Sequence, residues 1–90
     1  MRAQAKLARQ RERLFEMGPG GGPSRPIEVQ SASVVEVSAM STPCPTCGGA
    51  LRVEAHDATV VDGASLRVAR MRCAQCAKAK SIYFRIAAPN

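Results

Sequence analysis

The chain has 90 residues, a formal net charge of +6 at pH 7 and four cysteines. This length suits one small domain and argues against a large enzyme with a deep substrate cleft. Aromatic residues make up only 3% of the sequence, although hydrophobic residues reach 46%. A core with so few large side chains is predicted to need a disulfide, a metal or a partner for its stability.

The first segment, residues 1–17, has the composition of a basic helix, which Gly18 and Pro19 should end. At helical spacing, four cations fall within about 60° of one another and border an apolar stripe. The cations are Arg2, Lys6, Arg9 and Arg13, and the stripe is Ala3, Leu7, Leu14 and Met17. Like charges four residues apart repel, so the helix is predicted to gain from an anionic or acidic partner.

Residues 18–26 are rich in Gly and Pro and are predicted to form a flexible linker. Such a linker would leave the helix independent of the rest of the chain. Residues 27–90 are predicted to form a β-rich, metal-stabilised domain. Residues 27–37 suggest one strand or a short hairpin, and alternating apolar residues predict three further strands that begin near Leu51, Leu66 and Ile82.

The turn between the two middle strands is predicted to be a three-residue loop, residues 61–63, with Gly63 in the left-handed region. That loop would place Val53 opposite Met71 and Glu54 opposite Arg70. A two-residue Asp-Gly turn is the alternative, but it would mix apolar and charged residues on both faces of the hairpin.

Two Cys-x-x-Cys units carry the chemistry of this sequence: Cys44-Pro45-Thr46-Cys47 and Cys73-Ala74-Gln75-Cys76. Two cysteines three residues apart lie on one tight turn, whose backbone N–H groups point at the sulfurs. Two such turns supply the four thiolates of a tetrahedral Zn²⁺ site. The intervening hairpin returns the chain to its start, so the predicted cofactor is one structural zinc ion per chain.

The two knuckles, at residues 44–49 and 73–78, resemble those of the zinc ribbon family, in which a first Cys-Pro-x-Cys-Gly knuckle, a β-hairpin, a second Cys-x-x-Cys knuckle and a closing strand follow one another. The resemblance covers about residues 42–87. It implies a three-stranded antiparallel sheet, here with an N-terminal helix, and zinc ligands at Cys44, Cys47, Cys73 and Cys76. Ala77 departs from the family pattern, which often has Gly there.

Other interpretations of the cysteines carry less support. A redox dithiol at Cys44-Pro45-Thr46-Cys47 would need a helix N-terminus to lower its pKa, and Gly48-Gly49 followed by a strand pattern supplies none. Four thiolates also accept iron, but the sequence lacks aromatic packing around them. His56 is predicted to be a surface or edge imidazole. A closed four-cysteine site leaves no open position for substrate, so no enzymatic activity is expected.

The predicted function is therefore a non-catalytic zinc-ribbon binding module, located in the cytoplasm. Its partner would be nucleic acid or the transcription machinery, contacted through basic residues. The alternative partner is an acidic and apolar protein surface that binds the N-terminal helix. No small-molecule substrate and no membrane span are expected. The candidate partner-binding residues are Arg2, Lys6, Leu7, Arg9, Arg13, Leu14, Arg67, Arg70, Lys78, Lys80 and Arg85.

Overall fold

In a computed structural model, the fold consists of two helices and one four-stranded sheet. The structure describes residues 2–87, except for the side chains of residues 2–5 and 8. The order of the helices and strands along the chain is α1 (Arg2–Met17), β1 (Ile27–Val29), α2 (Ala32–Met40), β2 (Leu51–Val61), β3 (Ala64–Cys73) and β4 (Ala79–Ile86). The strand order in the sheet is β1-β4-β3-β2. Strands β2, β3 and β4 form the predicted antiparallel sheet, and β1 adds a fourth strand parallel to β4.

The glycine-rich segment after α1, for which the composition predicts a flexible linker, makes a backbone hydrogen bond to β4. The buried Gly20 accepts a hydrogen bond from the Tyr83 N–H at 2.9 Å and donates one to the Arg25 carbonyl at 2.6 Å. A Cβ atom at Gly20 would lie only 2.7 Å from Cδ1 of Ile27. The segment thus has a defined path along the sheet.

Helix α2 replaces the strand or hairpin predicted for residues 27–37, of which only β1 is extended. Val35 and Ala39 are four residues apart, so they share one helix face, and both are fully buried. Val37 is 64% exposed on the other side. Packing on the sheet thus overrides the β preference of the valines.

The β2–β3 turn has two residues, so the predicted three-residue loop is wrong. Asp62 and Gly63 have φ of 50° and 79°, as a type I′ turn requires, and Val61 pairs with Ala64. The positive φ predicted for Gly63 is confirmed. The Asp-Gly pair favours a two-residue turn. This local preference determined the turn, rather than the alternation of apolar and charged residues on which the prediction relied.

A β-bulge in β2 shifts the β2–β3 pairing by one residue in the part of the hairpin nearest the cysteines. Val53 lies opposite Met71 as predicted, whereas Ala55 lies opposite Arg70, and Glu54 is the extra residue between them. The bulge keeps the apolar face that the two-residue turn alone would have disrupted.

The core lies between α2 and one face of the sheet. Its largest fully buried side chains are Phe84, Met71, Ile82 and Val35. Cys44 and Cys73 belong to the same buried cluster, so the cysteine site borders the core. Among residues 2–87, no helix has both the length and the apolar composition needed to cross a bilayer.

Candidate metal site

The four cysteine sulfurs gather at one end of the sheet, all within 4.8 Å of one another. The Sγ atoms of Cys44 and Cys76 are 3.7 Å apart, and those of Cys47 and Cys73 are 3.4 Å apart. A tetrahedral metal with metal–sulfur bonds of about 2.3 Å separates its sulfurs by about 3.8 Å. The cluster therefore has the donor set and the dimensions of a metal site, and it contains all four predicted ligands.

The first knuckle is a tight turn closed by its own backbone. The Cys44 N–H donates to the Gly49 carbonyl at 2.9 Å, and the Gly48 N–H donates to the Cys44 carbonyl at 2.8 Å. Gly48 has φ of 77°, a left-handed conformation that glycine adopts without steric cost. The chain can therefore turn sharply after the second cysteine and enter β2.

The second knuckle repeats this geometry. The Cys73 N–H donates to the Lys78 carbonyl at 3.0 Å, and the Ala77 N–H donates to the Cys73 carbonyl at 3.1 Å. Ala77 takes the left-handed conformation, with φ of 65°. The departure from the family pattern noted at Ala77 therefore changes the residue but not the turn.

Backbone N–H groups favour the ionised thiolates that metal binding requires. The N–H groups of Cys76 and Gln75 each lie 3.3 Å from Sγ of Cys73, and with the neighbouring thiols they lower the pKa of Cys73 to about 6. Burial raises the pKa of Cys44, but N–H groups of its own knuckle, including that of Cys47, lower it below its usual value.

One carboxylate of α1 connects the helix to both knuckles. Oε1 of Glu12 accepts hydrogen bonds from Oγ1 of Thr46 at 2.8 Å and from Nζ of Lys78 at 2.9 Å. Nζ of Lys80 lies 3.7 Å from Oε2. The Lys78 hydrogen bond, followed by that of Thr46, lowers the pKa of Glu12 to about 2. Phe15, three residues further, packs against the core cluster from the same side of α1.

Glu12 was not among the predicted site residues, although the sequence around it carries a signal. Glu12 and Phe15 are three residues apart and so share a helix face. That face lies away from the stripe of Leu7 and Leu14 on which the prediction concentrated. An acid and an aromatic residue on one face of a basic helix indicate the face that contacts the rest of the domain, here the two knuckles and the core cluster.

The candidate partner-binding residues of the sheet do not form one patch. Arg67 and Arg70 are an odd number of residues apart along β3, so they point to opposite faces. Arg70 pairs with Asp57 at 3.1 Å, and Arg85 pairs with Glu28 at 2.8 Å. Lys78 and Lys80 both face Glu12, as described above. The acids of the same domain thus engage most of these cations.

The candidates on α1 have a different environment. Lys6, Leu7, Arg9, Arg13 and Leu14 are all exposed, and the side chain of Arg2 lies outside the described residues. Within the described side chains, the ion pairs involve none of these three cations. Elsewhere among the described side chains, Arg25, Arg52 and Arg67 are also absent from the ion pairs, so α1 carries only part of the unpaired positive charge.

His56 lies apart from the cysteine cluster. Its side chain is 14% exposed, and Nδ1 donates to Oε2 of Glu36 on α2 at 3.1 Å. The imidazole expected at the surface is thus largely covered, because Glu36 of α2 lies over β2. Its role in the structure is to connect these two elements.

Comparisons with protein-family models, curated proteins and solved structures return no match for this chain. The class of site is therefore defined by its geometry alone: a four-cysteine centre formed by two knuckles at the end of an antiparallel sheet.

Proposed function

We propose that this protein is a non-catalytic zinc-ribbon module that binds another protein through α1. The two matching knuckles support zinc, because four thiolates in a closed tetrahedron are typical of structural zinc sites. The resemblance to zinc ribbons also supports it. Structural zinc contributes about 10–16 kcal/mol of apparent free energy in small modules, which suits a sheet with so little aromatic packing.

A binding role fits this centre better than catalysis. Each of the four cysteines would bind the metal, so no coordination position remains for water or substrate. A thiol redox role would need one cysteine pair to react separately from the other, whereas all four sulfurs form one cluster. The centre therefore supports the fold, and function depends on the surface that the fold presents.

The surface that carries this proposal is the outer stripe of α1, defined by Leu7, Leu14 and Met17. These side chains are 50%, 66% and 59% exposed. At helical spacing they lie on a different face from Glu12 and Phe15, which contact the rest of the domain. Covering each side chain from its half-exposed state would stabilise a complex by roughly 1 kcal/mol.

The charges around the outer stripe indicate the chemistry of the partner. Lys6, Arg9 and Arg13 flank the stripe and take part in none of the ion pairs among the described residues. An amphipathic helix of this kind fits an apolar groove with an acidic rim, where leucines fill the groove and cations meet carboxylates. A protein with such a groove is the partner that we propose.

Nucleic acid is the second candidate, and the same unengaged cations support it. Arg11 is a fourth exposed cation of α1 and lies on the other side of the outer stripe from these three. Phosphate binding would use these cations and leave the leucines in solvent. It would also weaken steeply with salt, because each neutralised phosphate releases counterions.

Metal analysis tests the first half of the proposal. Purified protein should contain one zinc ion per chain, and Cys73→Ser should lose both the zinc and the folded sheet. Ala74→Ser, an exposed neighbour in the same knuckle, is the matched control and should keep both. Less than half an equivalent of metal in the wild type would exclude a structural zinc site.

Photocrosslinking tests the second part of the proposal, that α1 binds another protein. A benzophenone amino acid at Leu14 should give one discrete protein adduct in native lysate that survives nuclease treatment. The adduct should disappear in Lys6→Glu/Arg13→Glu. The same photoreactive group at Val60, another exposed apolar position, should give no adduct. An adduct that disappears with nuclease would favour the nucleic-acid candidate instead.

A further inference from the structure

Glu12 is the contact between α1 and the metal-site loops. Its carboxylate reaches Thr46, which lies between the two cysteines of the first knuckle, and Lys78, which follows the second knuckle. The side chain of Glu12 is 23% exposed, so these bonds are partly shielded from water. Glu16, the other acid of α1, takes part in none of the ion pairs between side chains that the structure describes.

The two partners of Glu12 are close together only while the knuckles are joined. Thr46 and Lys78 belong to different knuckles, which meet through the pairs Cys44–Cys76 and Cys47–Cys73. A bound metal would hold all four sulfurs, and with them Thr46 and Lys78, in one fixed arrangement. Without it, the two knuckles would be joined only by the β2–β3 pairing and by the hydrogen bond from the Ala74 N–H to the Ala50 carbonyl, so Glu12 would keep both of its bonds for less of the time.

We propose that Glu12 couples the position of α1 to occupancy of the metal site, so that the outer stripe is held in place only in the metal-bound protein. This inference rests on the proposed zinc binding. It adds a regulatory property to the module, because a change in metal occupancy would alter how α1 is presented to its partner.

Thermodynamic reciprocity makes the coupling measurable from both sides. If metal binding favours the docked helix, the docked helix must strengthen metal binding by the same factor. Removal of the Glu12 charge should therefore loosen α1 and weaken the metal site together. A helix that merely covers the knuckles without coupling would change one property and leave the other unchanged.

The experiment compares Glu12→Gln with Glu16→Gln, an equally conservative change one turn away on the same helix. Zinc affinity is measured by competition with a chromophoric chelator, and backbone hydrogen exchange is followed in residues 9–17. In Glu12→Gln, we expect zinc affinity to fall about tenfold and exchange to accelerate about tenfold, the factor that corresponds to 1.4 kcal/mol. Glu16→Gln should match the wild type in both.

Thr46→Val provides a second variant that keeps the carboxylate and removes one of its partners. It should shift zinc affinity and exchange in the same direction as Glu12→Gln, but by less. Unchanged zinc affinity in Glu12→Gln, or faster exchange without weaker binding, would overturn the coupling while the zinc site stands. A wild type that binds no zinc would instead contradict the proposed function itself.

Discussion

The Nε atom of Arg72 donates to the Glu54 carboxylate at 2.8 Å, although Glu54 has no residue opposite it in the β2–β3 ladder. Glu54 is the extra residue of the bulge. Between the bulge and the Asp62-Gly63 turn, the turn sets the β2–β3 register. Between the bulge and the cysteines, the register is shifted by one residue and places Leu51 opposite Cys73. The bulge thus absorbs the one-residue difference between the turn and the metal site.

Deletion of Glu54 should therefore be tolerated, because every cross-strand pair on both sides of the bulge is kept. The lost ion pair is exposed to solvent, so its removal should change stability little. Deletion of Ala58, in the regular part of β2, is the matched comparison. It would move Asp57 to the face covered by α2 and His56 to the opposite face, because side chains alternate. Thermal melting with zinc present should show the larger loss for the Ala58 deletion.

Ala77→Gly should stabilise the protein. Ala77 has φ of 65°, and the left-handed region costs a residue with a Cβ roughly 1–2 kcal/mol. Part of this gain is offset by the greater freedom of glycine in the unfolded chain. Ala74→Gly in the same knuckle, where φ is not positive, should be neutral or destabilising. A melting temperature that does not rise in Ala77→Gly would show that the strain is relieved in another way.

Gly63→Val should destabilise the hairpin through the backbone alone. A Cβ atom at Gly63 would meet nothing within 4 Å, but φ is 79°, which a β-branched residue tolerates poorly. Asp62→Asn keeps a side chain that accepts the left-handed region, so it should melt near the wild type. Each kcal/mol lost should lower the melting temperature by about 4–8 °C in a domain of this size.

The contribution of Glu12 to stability should not change between about pH 8 and pH 5. The folded pKa of Glu12 is lowered from 4.5 to about 2. A lowered pKa gives stability that is complete above the unfolded value and is lost as pH falls from about 4.5 towards 2. Denaturant unfolding with zinc in excess should show a constant difference between wild type and Glu12→Gln, about 1 kcal/mol for a partly exposed pair. A difference that disappears between pH 8 and pH 6 would contradict this assignment.

The cysteine cluster and the strand that follows it could be predicted because their signals are local. The spacing within each knuckle fixes where its two sulfurs point, and alternation in residues 82–86 is typical of a strand. Both signals depend on residues only a few positions apart. The pairing of Val53 with Met71 was predicted from a three-residue loop that the structure does not have, and it is kept because the bulge at Glu54 offsets the shorter turn.

The remaining features depend on contacts that no local pattern specifies. Helix α2 forms because Val35 and Ala39 meet the sheet, and valines alone favour a strand. The glycine-rich segment has a defined path because Gly20 fits against Ile27 and bonds to Tyr83. Glu12 and Phe15 likewise connect α1 to the knuckles and to the core cluster, which the composition of the linker did not indicate.

The position of β1 has a consequence for synthesis of the chain on the ribosome. Strand β1 pairs with β4 alone, so the sheet can be completed only after residue 86 has emerged.

The two knuckles are also made at different times, because Cys47 precedes Cys73 by 26 residues. At about 5–20 residues per second this is a delay of about 1–5 s. During translation the first two thiols are therefore exposed without their partners, and the nascent chain is most open to oxidation in that interval.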